Sequence, residues 1–404
     1  MTRRTVLGFV GTGVLSLMVA NMVPVIIAAL QASLGFSIEE AGSTMTAMTG
    51  GTVVGMFAVT AIIARSDRPL VARVGLLLIA AGFGLGAVTM TPALVVVGFA
   101  VGGLGCGAVS AAAMAASAAT TSPDRTVTLT TVLNRVFATA LLAAAPLFGT
   151  DLRAILTVLA LIGVVGFPLA GGLPNSTVSG TTSPAFDDSV PGDQGLGVRP
   201  AGTRLAVTAV VLAVSMGCWS LTEDMVYTMA APLSEHAGVP ASGLGPLLAA
   251  KVAGGLLGAL AAPFVMRRLG RAAALMIIVL VSTLAKVTIT LAPGPAVFGV
   301  ALVLWGILYA AALALVLGMA SALDSTGRTG SLVNSVYVVG IGAAPFVGSH
   351  LITLIPAWGY ALLVAVPSLL FGATLVSIAR RHRGLEPEPR GPEHPVAAPD
   401  AVAS

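Results

Sequence analysis

The chain has 404 residues, 56% of them hydrophobic and only 9% charged, with a mean hydropathy of +1.00. A soluble domain carries about 25% charged residues, so the composition excludes a soluble enzyme and implies a chain built for a lipid bilayer. The net charge of +4 is too small to suggest nucleic acid as a partner. The two cysteines, Cys106 and Cys218, both fall in apolar runs, and no disulfide or metal framework follows from them.

A helix needs about 20 apolar residues to cross a membrane. Such runs are expected over 6–31, 41–63, 70–90, 93–118, 127–149, 153–172, 204–232, 243–265, 271–292, 296–319, 330–353 and 358–379. The first follows Met1-Thr2-Arg3-Arg4 and is too long for the apolar core of a signal peptide, so it reads as an uncleaved helix. Short Gly, Pro and Ser turns separate most runs, as at Met90-Thr91-Pro92 and Pro293-Gly294-Pro295. Residues 173–203 are polar and rich in Gly, Ser and Pro, which predicts a disordered linker between an N-terminal six-helix half (1–172) and a C-terminal one (204–379). A second polar segment, 380–404, predicts a disordered tail.

Basic residues set the orientation. With the N-terminus inside, 16 of the 20 Lys and Arg fall in inner loops and only Arg153 in an outer one; Arg135, Lys251 and Lys286 lie within helices. One missed span would invert every later loop, so this bias argues for twelve spans, with both termini on the cytoplasmic side of the cell membrane.

The two halves repeat. Asn21-Met22-Val23 matches Asp224-Met225-Val226 at an offset of 203, and Thr49-Gly50-Gly51 resembles Ala253-Gly254-Gly255. Asn134-Arg135-Val136-Phe137 stands over Asn334-Ser335-Val336-Tyr337 at an offset of 200. Gly/Ala-rich stretches such as Gly102-Gly103 and Gly254-Gly255 suit close helix packing.

Two parallel six-helix halves joined by an inner linker resemble the major facilitator superfamily over nearly the whole chain. That family's Gly-x-x-x-Asp-Arg/Lys-x-Gly-Arg/Lys-Arg/Lys loop signature is present in pieces. Asp67, Arg68 and Arg73 stand between helices two and three, and Arg268, Gly270 and Arg271 between helices eight and nine. Of the drug/proton antiporter signature in helix five, Ala145-Pro146-Leu147-Phe148-Gly149 keeps the Pro and one Gly. The resemblance implies an all-α membrane protein of twelve transmembrane helices in two pseudo-symmetric halves. It further implies a substrate site near the midplane and alternating access by rocking of the halves.

Glu223 and Asp224 place two acids inside an apolar helix, where a charge costs roughly 2.5–3.5 kcal/mol at the bilayer centre on insertion scales. Trp219, Glu223 and Tyr227 share one helix face, and Trp305 and Tyr309 form an i, i+4 pair on helix ten. An acid among aromatic rings suits a cationic or amphipathic ligand and suits a proton carrier. Glu223 is therefore expected to meet ligand or proton. Lys251 is expected to form an ion pair with Asp224 or Glu223. Asn21 is the neutral counterpart of Asp224. Arg135 is expected in a gating or anion-binding role, Lys286 is expected to snorkel to the outer surface, and Asn134 and Asn334 are expected to make paired hydrogen bonds.

The expected function is secondary active transport of a small amphipathic or cationic molecule, coupled to protons, in the export direction. No cofactor or metal and no oligomeric partner are expected. The alternative is proton-coupled uptake of an organic anion through Arg135 and Lys251. A non-transporting membrane sensor is the alternative from another class. An enzyme would need a catalytic set, and none is apparent in the sequence.

Overall fold

The structure is a computed structural model describing residues 2–63, 66–120, 123–149, 151–175, 200–323 and 328–381. Most of the expected linker and tail, 176–199 and 382–404, lies outside the described residues. Among the described residues the secondary structure is helical, without strands. Each expected span is present: α1a (Arg3–Asn21) and α1b (Val23–Leu34), α2 (Ile38–Ile62), α3 (Arg68–Thr89), α4 (Pro92–Ala118), α5 (Pro123–Phe148), α6 (Leu152–Leu169), α7a (Pro200–Thr228) and α7b (Ala230–His236), α8 (Ala241–Leu269), α9 (Arg271–Thr290), α10 (Pro295–Leu323), α11 (Arg328–Leu354) and α12 (Ala357–Arg381). Among the described residues, eleven helices are long and apolar enough to cross a membrane. Side chains such as Val88, Leu147, Val300 and Leu354 point outward, as a lipid-facing surface requires.

Spans one and seven are not continuous. α1a passes through a π turn at Val10–Val14 and a 3₁₀ turn at Leu15–Leu17, and the chain breaks at Met22. α7a ends at Thr228, and Met229 leads into α7b. Pro24 and Pro232 account for the breaks. A proline has no N–H to donate, and its ring crowds the carbonyl four residues earlier, here those of Ala20 and Thr228.

The duplication is visible in the packing. Helices α8, α9 and α10 each begin 203 residues after α2, α3 and α4. α2 lies on α4 as α8 lies on α10, and α3 lies on α6 as α9 lies on α12. Glycines set these contacts at the same spacing. A Cβ on Gly55 would strike the Leu104 carbonyl, and one on Gly258 the Ile307 carbonyl. Gly103 faces the Met48 carbonyl, and Gly306 the Lys251 carbonyl. Removing Cβ lets two backbones meet where lipid supplies no hydrophobic drive for association.

This packing corrects one sequence match. Gly42 rests on the Pro345 carbonyl and Ser349, as Gly245 rests on the Leu142 carbonyl and Ala145. The equivalence of α5 with α11 is therefore also 203, which sets Asn134 over Tyr337 rather than Asn334. Buried Asn134 donates to the Val14 carbonyl at 3.4 Å, whereas Asn334 is exposed. The expected pairing of the two asparagines is absent because they sit on different faces of their helices.

The halves meet along α2–α11, α5–α8 and α1b–α7b. Their tie points lie toward the end of the bundle away from the N-terminus. They include the two Gly42 and Gly245 contacts, Thr49 Oγ1 donating to the Gly342 carbonyl at 3.1 Å, and Tyr227 OH donating to the Asn21 carbonyl at 2.5 Å. Gly258→Ala is expected to lower thermal stability in detergent by about 1–3 kcal/mol through overpacking. Gly50→Ala, whose Cβ would meet nothing within 4 Å, is expected to be neutral or slightly stabilising.

Candidate functional site

The stripe Trp219, Glu223 and Tyr227 on α7a is buried; α8, α9, α10 and α12 supply partners for it, and Tyr227 also reaches Asn21 of the N-terminal half. Glu223 and Lys286 are both fully buried and form an ion pair. The other carboxylate oxygen accepts from Trp305 Nε1 at 2.5 Å. Lys286 Nζ also donates to Ser368 Oγ at 2.6 Å. Ser368 Oγ lies 2.8 Å from Thr222 Oγ1 and donates to the Val364 carbonyl at 2.7 Å. A buried ion pair holds only when the remaining hydrogen-bonding capacity is used, and here four helices contribute.

Lys286 therefore does not snorkel. Side chains of a helix tilt toward its N-terminus, and α9 starts at the Arg-rich end. The Lys286 stem is thus directed into the bundle and away from the nearby helix end. The signal was present in the sequence, since Ser282, Lys286 and Thr290 form a buried polar stripe at i, i+4, i+8 on an apolar helix.

Nor, among the described residues, does Lys251 take a carboxylate in an ion pair. Its ammonium sits 3.8 Å from the Tyr227 ring centroid, 4.6 Å from Trp305 and 5.6 Å from Tyr309. The walls of this cage are braced from outside. Trp219 stacks on Tyr309 at 5.6 Å with rings 17° apart, and Tyr309 OH shares a hydrogen bond with Tyr337 OH at 2.5 Å. Trp305 is held by Glu223, and Tyr227 by the Asn21 carbonyl. Asn21 thus contributes backbone to the site, while its side chain donates to the Leu17 carbonyl.

Asp224 lies in electrostatic range of Lys251 and Glu223, and its buried Oδ2 has no hydrogen-bond partner among the described residues. Arg135 of α5, from the other half, lies in electrostatic range of Lys251, Tyr227 and Tyr337. The site thus contains a satisfied pair, Glu223–Lys286, and a loose group, Asp224, Lys251 and Arg135, around three rings. Lys286, Ser368 and Tyr337 were not foreseen, because each is brought in by a helix distant in sequence.

The loop residues act locally. Asp67 caps α3 by accepting from the Leu70 amide at 3.1 Å, and the Arg68 amide donates to Asn175 Oδ1 at 3.0 Å. The Arg73 and Arg268 guanidiniums lie over Phe167 and Phe264. Gly270 takes φ +76° between α8 and α9, and Arg271 is buried against Met266. A separate cavity of about 690 Å³ lies at the distal seam, between α1b, α5, α7b and α8, with Gln31, Ser234, Glu235 and Ser242 as polar lining. It does not include the aromatic cage.

Glu223→Gln leaves Lys286 buried without a counter-charge and is expected to destabilise the protein by about 3–5 kcal/mol. Glu223→Gln combined with Lys286→Met is expected to recover most of that loss in a thermal-unfolding double-mutant cycle.

Comparison with known proteins agrees with this architecture. A family model described as Major Facilitator Superfamily matches residues 8–331. Among solved structures, the nucleoside transporter NupG is similar at 12% identity, with 93% of this chain and 99% of that chain covered and a TM-score of 0.71. A bacterial homolog of the human lysosomal transporter Spinster is similar at 13% identity, covering 96% and 100%, with a TM-score of 0.65. A POT family peptide transporter is similar at 12% identity, covering 94% and 97%, with a TM-score of 0.68. At such identities the likeness is one of fold. No curated protein sequence matches the chain. A family match of this extent, on a duplicated bundle of twelve spans, establishes that the chain belongs to the major facilitator superfamily.

Proposed function

We propose that the protein is a proton-coupled secondary transporter that exports a small amphipathic cation by alternating access, as a monomer in the cytoplasmic membrane. The observation that carries this reading is the aromatic cage of Tyr227, Trp305 and Tyr309, which already holds an ammonium group. Beside it, Asp224 has an oxygen without a partner among the described residues. Rings attract cations through their negative faces, and a nearby carboxylate adds a counter-charge.

The roles of the two acids are exchanged relative to the sequence reading. Glu223 is fully satisfied by Lys286 and Trp305, so it serves as a fixed brace. Asp224 has a free acceptor position, so it is the group that takes up a proton or the ligand's charge. The Gly42 and Gly245 contacts join the halves toward the distal end, and the Tyr227–Asn21 bond joins them at the cage itself, an arrangement compatible with loading from the side of the Arg-rich loops. On the expected orientation that side is the cytoplasm, which suits an exporter.

A second reading is uptake of an organic anion. It is favoured by two cations, Lys251 and Arg135, lying near one loosely held acid. Flux of amphipathic ammonium and carboxylate compounds in proteoliposomes, under pH gradients of both signs, separates the two. Ammonium compounds are expected to move against an opposing proton flow. Asp224→Asn is expected to abolish gradient-driven flux while leaving counterflow exchange measurable. Flux of carboxylates alone, or gradient-driven flux that survives Asp224→Asn, overturns the proposal.

A further inference from the structure

A lysine inside a membrane protein ordinarily pairs with a carboxylate, because an unpaired charge there is expensive. Lys286 does so, and Lys251 does not. Lys251 is 7% exposed, and its ammonium faces three rings, with no hydrogen bond or ion pair to it among the described residues. Asp224 lies in electrostatic range of Lys251, yet its buried Oδ2 has no hydrogen-bond partner among the described residues.

The walls of the cage do not depend on Lys251. Trp305 is fixed by Glu223, Tyr309 by Tyr337 and Trp219, and Tyr227 by the Asn21 carbonyl. The base of the Lys251 side chain is fixed as well. Gly306 on α10 packs so closely that a Cβ there would lie 2.7 Å from Lys251 Cγ. Beyond Cγ the stem is a flexible carrier of a compact ammonium. The arrangement is a cation site whose walls are already built and whose present occupant is a tethered cation.

The N-terminal half has no such device. At the spacing of 203, Lys251, Tyr227, Trp305 and Tyr309 correspond to Met48, Pro24, Gly102 and Cys106. The cage and its occupant are thus specific to the second half and are not demanded by the packing of the repeat.

We propose that Lys251 is a built-in competitor for the cation site, and that a small organic ammonium ion binds by displacing its head group and drawing on Asp224 for counter-charge. This rests on the reading of the cage as a cation site. It adds that the wild-type affinity for ammonium ligands is held down by the protein's own lysine. Because Tyr227 also bonds to Asn21 of the other half, exchange of the occupant takes place next to a tie point between the halves.

The test uses the purified full chain and tetramethylammonium, a cation that carries no proton to lose, with binding followed by quenching of tryptophan fluorescence. Lys251→Met is expected to bind tetramethylammonium at least about tenfold more tightly than wild type, the scale of one displaced cation–π contact. Lys251→Arg keeps a tethered cation and is expected to bind as weakly as wild type. Adding Asp224→Asn to Lys251→Met is expected to remove the gain. If Lys251→Met shows no gain, or Lys251→Arg gains as much, the competitor role is wrong. Where Lys251→Met is not recovered folded, Lys251→Gln is held to the same criterion. Binding to purified protein requires no transport. A wild-type protein that moves no cation in vesicles would therefore overturn the transport proposal without touching this result.

Discussion

Two opposite charges with no access to water must satisfy each other, and the C-terminal half is arranged so that they do. Glu223 and Lys286 sit at 0% exposure, and their spare valences are taken by Trp305 and Ser368. Losing either partner would strand a full charge, so α7a, α9, α10 and α12 are tied to one geometry. The same bonds aim the Trp305 ring at Lys251. The ion pair thus shapes the cage without taking part in it.

The duplication makes the asymmetry easy to see. The two halves repeat the closest glycine contacts of α2 with α4 and of α8 with α10, Gly55 with Gly258 and Gly103 with Gly306, at a spacing of 203. On that common frame the N-terminal half carries Ala20, Phe83 and Gly102 where the C-terminal half carries Glu223, Lys286 and Trp305. Phe83 fills its place by packing against Gly102 and Phe99. At these three positions one half is apolar and the other holds the buried ion pair. Relative movement of two such bodies would leave the ion pair intact, because all of its partners lie in one half. By contrast, the Tyr227–Asn21 bond and the approach of Arg135 cross the seam and would change.

Helix placement was legible in the sequence because crossing a bilayer imposes a length and an apolar composition on each span, and basic loops punctuate them. The breaks in spans one and seven were less evident. Pro24 and Pro232 mark them, but hydropathy alone reads through a proline. The offset of 200 between Asn134 and Asn334 was misleading because a short sequence match carries no information about which helix face is shared. The glycine contacts do carry it, since a backbone approach permits only one register.

For the site, sequence alone placed two acids, two lysines and an aromatic stripe within apolar helices, but it sent the Lys286 head group to the outer surface. It also showed that Glu223 shares a face with Trp219 and Tyr227, because i, i+4 spacing is a local property of a helix. Which lysine meets which acid was decided only by tertiary structure. Both head groups end near Trp305, Lys286 on the Glu223 that Trp305 also binds and Lys251 over the Trp305 ring, and the choice rests on how α8, α9 and α10 rotate against α7a. Glycines at the α8–α10 contact set that rotation and turn Lys251 toward the rings. The tilt of side chains on α9 carries Lys286 inward to Glu223.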